Sequence, residues 1–202
     1  MKKMLIVGAT GGIGRAIKAA AEAKGWLCVG TSRREGTSDE VLDCLDADGY
    51  ELSLMRIFTA QGPFDAVVYC AGTCPVMPLS RLDATLLAET QRVNCEAFLL
   101  LMKQFARPGA HVKEGATAVA ISSVSATEGW AGGVAYCASK GALSAACRAL
   151  AVELAPKKIR VLAPEPSYVR TDMFRSCAGR MGVPESEACD PAEFAEAVLE
   201  LI

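Results

Sequence analysis

The chain has 202 residues, 51% of them hydrophobic, and 21 Lys+Arg against 23 Asp+Glu give a net charge of −2. That is enough chain for one domain with a proper core and short for two, and the interspersed charges offer no basic stripe to a nucleic acid. No apolar segment reaches membrane-spanning length, Met4 to Val7 is too short for a signal peptide, and nine cysteines with no export signal imply a reducing, cytoplasmic setting, while the single His111 builds no His-rich metal site.

Met4 to Val7 reads as a strand that runs into "GATGGIG", with Gly8, Gly12 and Gly14, and then into a helix over 13–24. Glycines let the backbone turn sharply and approach a pyrophosphate, and the free N–H groups of the helix start attract its charge. A purely structural tight turn has the same spacing. The second strand, Leu27 to Thr31, ends in "TSRRE". Where a dinucleotide fold that prefers NAD offers an acid to the ribose 2′-hydroxyl, this chain has Ser32 followed by Arg33 and Arg34. A guanidinium there could pair with a 2′-phosphate, which implies NADP(H) as the preferred cofactor and NAD(H) as the second option; two solvated arginines in a loop are the plainer reading.

A short strand at Val41 and Leu42 and a helix over 49–60 precede the fourth strand, Ala66 to Tyr69. Residues 71–84 read as irregular, 85–106 as one helix, Thr117 to Ile121 as a strand, 136–154 as a helix and Ile159 to Ala163 as the sixth strand. Residues 164–190 read as irregular and partly apolar, and 191–201 as a helix with Asp190 as N-cap and Pro191 at its first position. Such alternation implies a parallel sheet covered on both faces, with ligands bound beyond the carboxyl ends of its strands. The expected fold is α/β, a Rossmann-like doubly wound sheet of six strands in the order 3-2-1-4-5-6, forming one NAD(P)-binding domain over 1–202 in three layers.

In "AYCASKGA", Tyr136 and Lys140 lie four residues apart, one turn of a helix, with no acid beside the lysine. An ammonium near a phenol favours the phenolate, so the pair could act as an acid/base device. An ordinary amphipathic helix with a half-buried tyrosine and a surface lysine is the alternative.

The glycine loop spaced Gly-x-x-x-Gly-x-Gly together with Tyr136-x-x-x-Lys140 resembles the short-chain dehydrogenase/reductase superfamily, and in particular its 3-oxoacyl-thioester reductases. Ser123 in "VAISSVSA" stands at the family's serine spacing, and Asn94 in "RVNCEAF" at its asparagine. "YCAG" is similar to the family's Asn-Asn-Ala-Gly turn, and "PSYVRTDM" to its Pro-Gly-x-Val-x-Thr. The departures are Cys70 for an asparagine, Ser167 for a glycine and Leu162 for an asparagine.

The resemblance implies an NADP(H)-dependent interconversion of a carbonyl compound and an alcohol, with a 3-oxoacyl thioester as the first substrate class, a sugar or polyketide ketone as the second, and no residue of 164–190 selecting between them. In it Tyr136 is the acid/base, Lys140 tunes the phenol and holds the ribose, Ser123 holds the carbonyl oxygen, and Asn94 anchors a water. The cofactor would touch Gly8, Thr10, Gly12, Ile13 and Gly14 in the glycine loop, and Ser32, Arg33 and Asp43 around the adenosine. Ala71, Gly72 and Asn94 follow the fourth strand, and Tyr136, Lys140, Val169 and Thr171 surround the nicotinamide. The resemblance also implies a homodimer through the helices at 85–106 and 136–154. Because relatives continue into a seventh strand where this chain stops at "AVLELI", no such strand and no tetramer are expected. A chain that keeps the fold and binds NADP(H) as a sensor or structural partner without turnover is the second reading; loss of Tyr136 or Lys140 would have favoured it, and both are present.

Overall fold

The central strands are short apolar runs in which every residue after the first is buried, which is how a strand reads when helices cover both faces of its sheet. A computed structural model describes residues Met1–Ile202. Its strands are β1 (Lys3–Val7), β2 (Leu27–Ser32), β3 (Glu40–Val41), β4 (Ala66–Tyr69), β5 (Ala116–Ala120) and β6 (Ile159–Leu162), all parallel in the order β3-β2-β1-β4-β5-β6. Met4 pairs with Cys28 on one side and Ala66 on the other, which places the carboxyl ends of β1, β2 and β4 side by side.

The helices are α1 (Gly12–Ala23), α2 (Tyr50–Gln61), α3 (Ala84–Gln91), α4 (Ala97–Phe105), α5 (Val134–Leu154), α6 (Asp172–Met181) and α7 (Pro191–Glu200). Successive strand residues face opposite layers. Met4, Ile6, Ala66 and Val68 pack with Ile17 and Ala21 of α1 and Ala195 and Val198 of α7. Leu5, Val7, Val67 and Tyr69 pack with Leu54 and Ile57 of α2, Phe98 and Leu101 of α4 and Leu143 and Cys147 of α5. The expected doubly wound topology and strand order are therefore observed.

Two of the expected elements differ. The helix read over 85–106 is divided: between α3 and α4 the residues Arg92–Glu96 form a π-helical turn, where an inserted residue widens the helix. The Tyr69 hydroxyl donates to the Val93 carbonyl in this turn, and Asn94 is turned inward with no exposure. The stretch 164–190, read as irregular, contains α6. Thr171 caps it by accepting from the Phe174 amide at 3.2 Å, and Gly182 ends it in the left-handed region at φ 69°. That Thr-Asp start and glycine stop are ordinary helix boundaries in sequence. Asp190 caps α7 as expected, accepting from the Ala192 amide at 2.8 Å.

Candidate active site and nucleotide cleft

The turn from β1 into α1 is built by glycines that admit no side chain. Gly8 has φ 83°, and a Cβ there would lie 2.8 Å from the Ala71 amide nitrogen; a Cβ on Gly14 would collide with the Gly8 carbonyl. Gly14 thus lies behind the loop, allowing α1 to approach β1. Unlike α3, α6 and α7, α1 has no side chain capping its first turn, because Gly11 is its N-cap. Its free backbone N–H groups face a cleft of about 510 Å³ lined by Gly8, Thr10 and Gly12 on one side and Ala71, Gly72 and Met173 on the other. An uncapped helix start over a glycine cradle suits a pyrophosphate.

At the far end of this cleft, Ser32 and Asp43 are its lining, together with Arg33. Ser32 is 5% exposed and its hydroxyl is engaged inside its own turn, accepting from the Arg34 amide at 3.0 Å. Asp43 accepts from the Leu45 amide at 2.9 Å. Arg33 is exposed and lines the cleft, whereas Arg34 does not, so of the two arginines only Arg33 faces a ligand there.

A second cavity of about 240 Å³ adjoins the first, sharing Ile13, Cys70, Gly72, Thr171 and Met173 with it. Ser123, Tyr136, Lys140 and Val169 line it. Ser123 follows the end of β5 and accepts from the Ser125 amide at 3.1 Å, which fixes it in a short 3-10 turn. Tyr136 and Lys140 project from the first two turns of α5, with the Lys140 ammonium 5.8 Å from the centre of the tyrosine ring. Burial raises the Tyr136 pKa most; the thiols of Cys74, Cys177 and Cys137 add to the rise, and the Ser123 hydroxyl opposes it as a hydrogen-bond partner. Burial therefore outweighs the lowering expected from the lysine, and the phenol is protonated at neutral pH in this state.

Lys140 is 5% exposed and donates to the Ile121 carbonyl at 2.7 Å. Its pKa falls from 10.5 to about 8, burial being the largest cause. The β5 end and α5 are tied together by a further chain: the Ser144 hydroxyl donates to Glu165 at 2.6 Å and lies 2.7 Å from the Ser122 hydroxyl. Asn94 lines neither cavity. Its amide nitrogen donates to the Thr73 carbonyl and the Ser139 hydroxyl, each at 2.9 Å, and its oxygen accepts from the Thr73 amide at 2.8 Å, so it braces the loop after β4 against α5.

Sequence reasoning overlooked Glu128 and Trp130, which line the smaller cavity from the loop between Ser123 and Tyr136, and Cys74 and Cys177, which line it in contact with each other, the Cys177 thiol donating to the Cys74 carbonyl at 3.4 Å. Only their position between or beside the serine, the tyrosine and the glycine turns could have marked them.

The family model described as short chain dehydrogenase matches residues 2–181. The chain belongs to the short chain dehydrogenase family. L-xylulose reductase of Bos taurus is 30% identical over 182 residues, covering 85% of this chain and 73% of that protein. The 3-oxoacyl-[acyl-carrier-protein] reductase of Vibrio harveyi is 27% identical over 218 aligned positions, covering 99% and 89%. Among solved structures, a dehydrogenase/reductase from Sinorhizobium meliloti superposes with a TM-score of 0.85 at 25% identity, covering 98% of this chain and 86% of that one. As a member of the short chain dehydrogenase family, the protein is an oxidoreductase of carbonyl compounds and alcohols that uses a nicotinamide cofactor. No helix is long and apolar enough to cross a membrane.

Proposed function

We propose that this chain is an NADP(H)-preferring carbonyl reductase in which Tyr136 exchanges the proton with the substrate oxygen. The observation that carries the reading is the placement of Tyr136 and Ser123 together in the lining of a small cavity that opens into the glycine-lined cleft. The cleft fits the cofactor by its uncapped helix start and side-chain-free turn. When bound, the nicotinamide supplies or accepts the hydride.

Tyr136, kept protonated by burial, donates its proton to the carbonyl oxygen during reduction and takes it back during oxidation, which is therefore favoured at high pH. Ser123 holds the carbonyl oxygen beside the phenol. Lys140 presents a desolvated ammonium toward Gly72 and the cofactor cleft, where it can hold the ribose hydroxyls. Arg33 takes the 2′-phosphate, and Val169 and Thr171 bound the nicotinamide pocket. Asn94 acts as a brace of the Thr73 loop.

The functional unit is one domain in a reducing cytoplasm, where its nine free cysteines stay as thiols. A second copy packs against α4 and α5, on which Leu99 and Val152 are 38% and 78% exposed. Tyr136→Phe tests the mechanism: turnover should fall at least about a thousandfold while NADPH binding, measured by titration, changes little, because the hydroxyl acts in the transition state. A variant that keeps most of its turnover would refute it.

A further inference from the structure

The smaller cavity carries few charges. Apart from thiols and phenols, its only ionisable lining groups are Lys140 and Glu128. The ammonium of Lys140 is committed to the Ile121 carbonyl and lies at the cofactor end, 3.9 Å from where a Cβ on Gly72 would stand. Glu128 is exposed and lines the cavity from the loop between Ser123 and Tyr136.

None of the three arginines of the segment that closes the cavity lines it. Arg170 donates to the Ala188 carbonyl at 3.1 Å, Arg175 pairs with Asp172 at 3.2 Å and Glu185 at 3.0 Å, and Arg180 donates to the Val76 carbonyl at 2.7 Å. An anion carried into the cavity would leave water and find among the lining residues one cation, Lys140, which already holds the Ile121 carbonyl and which the cofactor ribose would share, and one acid, Glu128. The walls themselves are the faces of Trp130, Tyr168 and Phe174 and the thioethers of Met173 and Met181. Of the lining hydroxyls, that of Ser125 accepts from the Trp130 indole at 3.1 Å.

We propose that the substrate is an uncharged carbonyl compound with an apolar arm, and that carbonyl compounds bearing a carboxylate or phosphate beside the reacting group are rejected. This rests on the reading of the Tyr136 cavity as a carbonyl-reduction site.

The test uses the full chain with NADPH and two matched pairs, methyl pyruvate against pyruvate and ethyl acetoacetate against acetoacetate. Each ester should exceed its anion in kcat/KM by about a hundredfold, and Glu128→Arg should narrow that ratio at least about tenfold. A ratio below about ten in both pairs would overturn the proposal. If neither esters nor anions turn over, the carbonyl-reductase reading fails, and quenching of Trp130 fluorescence still decides the present one. Saturable quenching by the esters at lower concentration than by the anions, absent in Trp130→Phe, supports it; equal or tighter binding of the anions overturns it.

Discussion

Replacing Lys140 by methionine should stabilise the protein near neutral pH while destroying its function. The lysine is 5% exposed, and burial lowers its pKa from 10.5 to about 8. At 1.36 kcal/mol per pH unit, that fall means the native state carries a cost of about 3 kcal/mol for keeping the ammonium charged. Because the folded pKa lies below the unfolded one, the unfolded chain binds the extra proton between about pH 8 and 10.5, and stability rises with pH through that window. Below pH 8 both states are charged and the full cost remains. Methionine keeps the length and the apolar stem but leaves the Ile121 carbonyl, now bonded at 2.7 Å, without its donor, at a cost of about 1–3 kcal/mol. The net expectation at pH 7 is a gain of about 1 kcal/mol, or roughly 2–4 °C in Tm. Urea unfolding of both proteins at pH 7 and pH 9.5 measures it, and the methionine variant's advantage should vanish or reverse at the higher pH. A variant less stable by more than about 1 kcal/mol at pH 7, or an advantage indifferent to pH, would refute the reasoning.

Arg33→Ala should weaken NADPH about ten- to a hundredfold and leave NADH nearly unchanged, because it removes a charge-assisted contact of about 1.5–3 kcal/mol; titration with each cofactor measures this, and equal losses for both would remove Arg33 from the phosphate site. Gly14→Ala should abolish nucleotide binding or folding of the β1–α1 turn, since its Cβ meets the Gly8 carbonyl; an alanine variant that binds NADPH normally would contradict the packing described. Thr171→Val removes the cap of α6 and should cost about 1 kcal/mol, read by denaturant unfolding, with a higher KM for the carbonyl substrate because α6 walls the cavity.

The strands themselves and the glycine turn were legible in the sequence because both are local: apolar runs alternate with helical segments, and a turn of this kind admits only glycine at Gly8 and Gly14, while the strand order followed from the doubly wound topology that such alternation favours. The serine, tyrosine and lysine were legible as a spacing pattern. Tertiary structure decided what those residues experience. Burial raises the Tyr136 phenol and lowers the Lys140 ammonium, an outcome opposite in sign for the phenol to the local expectation of a lysine one turn away, because desolvation depends on every layer packed around α5. Likewise Asn94 became a brace only through the widened turn between α3 and α4, and the poverty of free cations around the substrate cavity arose from partners far apart in the chain, such as Arg180 with Val76. Pairings across such separations are set by the fold, which no local pattern of residue types encodes.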